Sequence, residues 1–235
     1  IKQGKLRGYD SYGMLCSGVE LGLNEDLYPG AGYNGLLVLP EDAKAGDDVK
    51  PILGLDDWIF DIAITANRPD CQCIYGMARE VAAVLGKELK EPALDYTADD
   101  VKKENFKVSV LAQDICPRYT AHYVHDVKIS ESPAWMRKRL ALVGIGSISN
   151  VVDITNFILK ELGQPMHAFD YSYLEGEEIV VRRANDGEKI VTLDEKEFEL
   201  NSNNLVICDG KKPVALAGIM GGLNSEINDG TTEVM

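Results

Sequence analysis

Several features that would assign a chain to a class at once are missing here. No apolar run is long enough to cross a bilayer, and no secretory signal pattern occurs, so a membrane role is not expected. The five cysteines, Cys16, Cys71, Cys73, Cys116 and Cys208, are odd in number and irregular in spacing. "CQC" at 71–73 is not a C-x-x-C pair and no second pair completes a zinc site, which leaves free thiols in a reducing cytosol as the expectation. Positive charge is scarce: 24 basic against 38 acidic residues give a net charge of -14. A broad nucleic-acid footprint wants clustered positive charge, so any contact with RNA is expected to be local or made by other parts. No period of 20–50 residues repeats and nothing is of low complexity. There is no initiator Met, "IKQGKLRG" reads like the interior of a protein, and "TTEVM" stops on an apolar rise, so a piece of something longer is expected.

What is present suffices for a sizeable core: 235 residues, 45% of them hydrophobic, enough for one large domain or two ordinary ones. Residues 1–40 are Gly-rich and punctuated by turns, "GYDSYG" and "YPGAGYNG", around short apolar runs such as "LLVL" at 36–39. That pattern predicts β structure with long loops. "WIFDIAI" at 58–64 reads as a strand, and Asp70 is placed to cap the helix "CIYGMAREVAAVLG". Ile74, Met77, Ala78, Val81 and Leu85 make one helical stripe there, closed by Gly86. The charged stretch 87–105 reads as a linker. "FKVSVLA" and "YTAHYVHDVKI" alternate like strands, and "SPAWMRKRLALVG" is a helix with Ser132 as cap, Pro133 at its first position and Gly144 as its stop. Met136, Leu140 and Val143 form its inner stripe, and Arg137, Lys138 and Arg139 read as a solvated basic face.

The stretch "VVDITNFILKELGQPMHAFD", 151–170, predicts a third helix ending at Gly163 and Pro165, with Val151, Ile154, Thr155, Ile158 and Leu162 buried. Asp153, Asn156 and Lys160 share a flank, and His167, one of three histidines, falls on the loop that leaves the helix. Beyond it "EIVVRRA", "KIVTLD", "EFEL", "NLVICDG" and "PVALAGIM" read as a β-meander, so the second half is α+β, helices first and antiparallel strands after.

Candidate chemistry is sparse. Cys116 or Cys208 with His167 as a nucleophile pair has no local signature, and a buried inert thiol is the commoner role. A metal held by Asp153, His167 and Asp170 would have loose spacing and a single nitrogen ligand. "LAGIMGG" at 216–222 is neither G-x-G-x-x-G nor a P-loop; a tight turn with positive φ and a backbone N–H cradle for a ligand both fit it. For Asp153, Asn156 and His167, local ties within the fold compete with a ligand site, and periodicity does not separate the two.

Taken in order, "KLRGYDSYGMLCSGVELGL", "FDIAITANRPDCQCIYGMAREVAAVLGK", "RLALVGI", "VVDITNFILKELGQPMHAFD", "TLDEKEFEL" with "LVICDG", and "LAGIMGGLNSEI" resemble bacterial phenylalanyl-tRNA synthetase β subunits across nearly the whole chain. The resemblance implies an α+β fold: a B3/B4-like module of helices on antiparallel sheet at 106–235, truncated at its C-terminal end. Before it would come the end of an OB-like tRNA-binding region at 1–40, an adjoining strand-plus-helix segment at 41–92 and a linker at 93–105. It implies a cytoplasmic α2β2 class II ligase with an α-subunit partner that holds the synthetic site. Its substrate is tRNA(Phe), and ATP and Mg²⁺ serve the complete enzyme with no cofactor in this piece. The B3/B4 module would hydrolyse tyrosine wrongly attached to that tRNA. A non-catalytic scaffold or tRNA-binding module and a stand-alone aminoacyl-tRNA deacylase are the alternative readings.

By the same resemblance, Thr155 and Asn156 match pocket positions around the aminoacyl group, as does His167, with Ala168 and Phe169 as the neighbouring wall and Gly218 as a backbone contact. His167 and Asn156 would position the ester, the water or the terminal ribose, and the backbone N–H of Gly218 would help to stabilise the oxyanion. Two departures stand out. The family's "GIRPINN" is "GIGSISN" here, with Gly146, Ser147 and Ser149 in place of Arg, Pro and Asn, which calls a cationic contact near the tRNA end into question. The family's tyrosine-recognising glutamate would fall just beyond Met235.

Overall fold

In the computed structural model, residues 3–25, 28, 35–93, 96–97 and 105–235 are described. Most of the "YPGAGYNG" turn and of the 93–105 linker lies outside them. The chain forms two compact units, residues 1–63 with 131–148 and residues 64–130 with 149–235.

In the first unit β1 (Gly4–Leu6) and β2 (Tyr9–Ser11) pair as an antiparallel hairpin. Its two turn residues, Arg7 and Gly8, both have positive φ, 50° and 88°, the tight geometry that suits the twist of a two-residue hairpin. The "LLVL" run forms no strand; Leu37 N–H donates a bond to the Cys16 carbonyl in place of a ladder. Helix α1 (Val49–Leu53) is capped by the Asp48 carboxylate, which accepts from Lys50 N–H, and is closed by left-handed Gly54. "WIFDIAI", expected as a strand, forms none: among the described residues no ladder partner meets it, and Trp58 keeps 86% of its surface exposed.

The second unit starts with a 3-10 turn over Pro69–Gln72 and helix α2 (Ile74–Leu85), which Gly86 closes at φ 60°. The cap is not Asp70 but Cys73, whose Sγ accepts from Gly76 N–H at 3.3 Å. Asp70 is drawn instead to the Arg68 guanidinium at 2.8 Å. The expected inward stripe of α2 is also corrected: Ile74, Val81 and Leu85 are exposed, and Gly76 is the helix's buried residue. Strand β3 (Lys107–Val110) follows. Helix α3 (Ala134–Leu142), back in the first unit, begins one residue later than expected. The ψ of 142° at Pro133 is extended, so Pro133 takes the cap position and the turn starts after it. Met136, Leu140 and Ala141 are its buried residues, whereas Val143 is exposed. Lys138 lays its stem over Gly54 and donates from Nζ to the Pro51 carbonyl at 3.2 Å, and Arg137 pairs with Glu131 at 3.2 Å, so two of the three basic residues are engaged within the unit.

Helix α4 (Asn150–Leu162) returns to the second unit and stops at left-handed Gly163. There follow β4 (Glu178–Arg183), β5 (Lys189–Val191), β6 (Glu197–Glu199), β7 (Leu205–Cys208), β8 (Pro213–Leu216) and β9 (Met220–Gly221). All five runs of the expected meander form strands, but not one simple meander. The five-stranded sheet has the order β3-β4-β7-β8-β9, with β5 and β6 as a separate hairpin. β3 runs parallel to β4 and the other pairs are antiparallel. A parallel neighbour needs a long crossover, here one that includes α4, and alternation within each strand does not reveal such pairing. The sheet is covered on both faces. Phe169, Ile179, Val181, Ile207, Val214 and Ala215 cluster together, and Ala184, Ile190, Leu200, Val206, Cys208 and Leu216 form a second cluster. Strands buried on both sides are apolar nearly throughout, as "LVIC" and "PVAL" are.

"YTAHYVHDVKI" does not make a strand of a sheet. Val124 exchanges two backbone bonds with Val234, and Val127 N–H donates to the Thr232 carbonyl. The final residues are held from the other side as well: Phe169 and Met235 exchange N–H to carbonyl bonds at 2.9 and 3.0 Å.

Candidate functional site

Helix α4 places Thr155 and Asn156 half-buried, but its wholly buried side chain is Asp153, expected on the flank. Ile154 and Leu162 of the expected stripe are instead exposed. The period identifies a stripe; which part of the turn is covered depends on what packs there. The Thr155 hydroxyl donates to the Val152 carbonyl at 2.7 Å, one turn back, so it is engaged inside its own helix. Among the described residues Asn156 makes no side-chain hydrogen bond, and neither residue bonds to His167 or to the 217–219 turn.

After Gly163 the chain runs extended, and its pairing with Met235 fixes how side chains alternate. Phe169 goes into the core at 1% exposure, among Ile179, Val181 and Val214, while Ala168 is half-buried. His167 lies edge-on to Phe169, ring centroids 4.6 Å apart at 68°. Its other neighbour is Gly221 of β9, against which the imidazole Cε1 and Nε2 are packed. The residue as a whole is exposed, yet the ring is covered enough that burial lowers its pKa below the ordinary imidazole value and favours the neutral form.

Gly218 occupies the turn between β8 and β9 at φ +72°, with Ile219 N–H donating to the Leu216 carbonyl at 3.0 Å. A Cβ there would meet open space, so the glycine answers to backbone conformation. Beside the same turn is a cavity of about 390 Å³ among Phe198, Leu205, Leu216, Ile219 and Met220. None of the six expected site residues lines it.

The other chemical options lose ground. Burial pushes the Cys208 thiol up to about 11, which leaves it protonated at neutral pH. The Asp170 carboxylate accepts from Ser172 N–H, Ser172 Oγ and Thr231 Oγ1 at 2.9, 2.6 and 2.6 Å, the ties of a capping residue that holds the 171–173 turn. The tight group of possible metal ligands among the described residues is a different one, Asp70, Cys71 and Glu80. The Arg68 guanidinium already sits there, 2.8 Å from Asp70 and 2.6 Å from Glu80, and its hydrogen bond holds the Asp70 carboxyl down at about 2.

Residues 115–235 match the B3/4 domain family model, and the chain belongs to that family. Along its whole length it is 53% identical to the phenylalanine–tRNA ligase beta subunit of Syntrophus aciditrophicus and 48% identical to those of Clostridium tetani and Geobacillus kaustophilus. It spans 29% of each of these relatives. The resemblance carried by the ordered motifs is therefore borne out. A crystal structure of an N-terminal fragment of the phenylalanyl-tRNA synthetase beta-subunit from Pyrococcus horikoshii matches 76% of this chain and 56% of its own. At 17% identity and a TM-score of 0.37, it is too distant to support an inference.

Among the described residues no helix is long and apolar enough to cross a membrane.

Proposed function

We propose that this chain works as part of the β subunit of a phenylalanine–tRNA ligase, and that its B3/4 module removes tyrosine wrongly attached to tRNA(Phe). The observation that supports this most is His167: a covered imidazole, whose neutral form burial favours, set between Phe169 and the strand that follows the Gly218 turn. A neutral imidazole can accept a hydrogen bond from an attacking water. Water would add to the ester carbonyl, the bond from that carbon to the ribose oxygen would break, the ribose oxygen would leave with a proton, and tyrosine would depart as a carboxylate. No covalent enzyme intermediate is needed. Asn156, with its amide uncommitted among the described residues, is available to orient the ester or the ribose, and the Gly218 turn to approach the oxyanion closely. Ala168 belongs to the wall, and Thr155 acts only if its hydroxyl leaves Val152.

The need for a second site follows from chemistry. An apolar pocket shaped for phenylalanine rejects an added hydroxyl by only ~10²-fold. A site that hydrogen-bonds the phenol would instead leave a buried polar group unpaired with phenylalanine, at a cost of about 1–3 kcal/mol. In this reading the complete enzyme is cytoplasmic, pairs with an α subunit, and uses ATP and Mg²⁺ for synthesis outside this chain. The boundaries 1–40, 41–92, 93–105 and 106–235 stay part of the same proposal.

A scaffold reading has its own support: Thr155 is tied into its helix and Phe169 is core. Deacylation of Tyr-tRNA(Phe) by the complete subunit pair separates the two. With His167→Ala or Asn156→Ala, hydrolysis is expected to fall at least tenfold while phenylalanine charging holds. Unchanged hydrolysis in both variants would make these residues structural.

A further inference from the structure

The seat of His167 is shaped by a residue that has no side chain. An ideal Cβ on Gly221 would overlap Cε1 and Nε2 of the imidazole and stand 3.2 Å from Leu193 Cδ1. The backbone at this point is anchored. Gly221 pairs with Ala215 in the β8–β9 ladder, its carbonyl accepts from Leu193 N–H at 3.1 Å, and the next residue, Gly222, donates to the Val214 carbonyl at 2.7 Å. The ring is bounded on another side by Phe169, itself pinned by its two bonds to Met235. Gly221 does not lie in the left-handed region, unlike Gly218 at φ +72°, so what an L side chain would meet there is the imidazole ring and not a strained backbone conformation.

We propose that Gly221 is a positioning residue for His167: the space left by its missing side chain seats the imidazole against β9 in the orientation the hydrolytic site uses. This rests on the reading of His167 as part of that site. A methyl group at 221 is expected to push the ring outward, because the strand that would otherwise yield is held on one side by the bond from Leu193 N–H to the Gly221 carbonyl and on the other by the bond from Gly222 N–H to the Val214 carbonyl, beside its pairing with Ala215. A ring returned to water titrates nearer the ordinary imidazole value of about 6.5. Desolvation is the cause of its lowered pKa, so the titration reports the seat directly.

The first test is the NMR titration of the His167 ring in this chain with and without Gly221→Ala. The midpoint is expected to lie below the ordinary value in the parent and to rise toward it in the variant. An unmoved midpoint in a folded variant would overturn the proposal. Should Gly221→Ala fold poorly, thermal unfolding of a double-mutant cycle decides. The fall in Tm caused by Gly221→Ala is expected to shrink in the His167→Ala background, where the methyl group has room. An equal fall in both backgrounds would overturn the proposal. Hydrolysis of Tyr-tRNA(Phe) by the complete subunit pair then separates seat from function. Gly221→Ala is expected to lower it as His167→Ala does. If the ring moves but neither variant slows hydrolysis, the hydrolytic role of His167 fails while the seat stands.

Discussion

In the second unit Ile179, Val206 and Val214 are wholly buried and every strand from β3 to β9 of the main sheet has a hydrogen-bonded neighbour, whereas in the first Trp58 and Phe60 keep 86% and 81% of their surface exposed and residues 58–63 find no ladder partner among the described residues. Both regions are rich in the same kinds of residue. What separates them is long-range pairing, which turns apolar sequence into a core only where partner strands exist. The candidate site belongs to the second unit for this reason. His167 lies two residues before Phe169, whose backbone exchanges bonds with Met235 far along the chain, and such anchoring holds a side chain better than a loop of local turns does.

The largest effect expected from this contrast is on stability. Phe169→Ala should cost about 3–5 kcal/mol in urea unfolding of the second unit, since it empties a filled core. Trp58→Ala should change stability by less than about 0.5 kcal/mol. Similar losses at both positions would break the comparison. Next comes Asp170→Ala, which removes the acceptor of Ser172 N–H, Ser172 Oγ and Thr231 Oγ1 and should cost about 2 kcal/mol by the same measurement.

A pH effect should follow from Glu188, whose hydrogen bonds with Arg182 at 2.6 and 2.8 Å hold its carboxyl below the ordinary range. The sign is that of a depressed acid. The stabilisation is fully present above the unfolded value of about 4.3 and is lost as pH falls through the lower folded value. The stability difference between the parent and Glu188→Gln should therefore be constant at neutral pH and shrink below about 4.3, as read by denaturant unfolding across pH. A difference independent of pH would mean that the pair is not ionised as drawn. The smallest effect is expected for Thr155→Val, within about 0.5 kcal/mol, because the lost bond is a local one inside α4. A large drop in hydrolysis with that variant would show that the hydroxyl leaves Val152 for the substrate.

Elements with local signals were legible in the sequence. The helix at 151–162 is there from Asn150 to Leu162 with Gly163 left-handed beyond it, and Gly86 closes α2, because a glycine stop acts within one turn. What depends on distant partners was not. The burial of Asp153 in place of Ile154, the exposure of Ile74, Val81 and Leu85 in α2, the parallel pairing of β3 with β4 and the lack of a ladder partner for 58–64 among the described residues all depend on what packs against a face, which periodicity does not encode. Within the candidate site, His167 was legible as a lone polar group after a helix stop. Gly221 was not, because the reason for that glycine is a ring from another part of the chain.

The most direct measurement is the rate at which the complete subunit pair hydrolyses Tyr-tRNA(Phe), set against Phe-tRNA(Phe) under the same conditions. Tyrosine released well above the spontaneous rate, at least tenfold faster than phenylalanine, is the expected result. Equal rates for the two, no faster than without enzyme, would contradict a proofreading role and leave the second unit a scaffold.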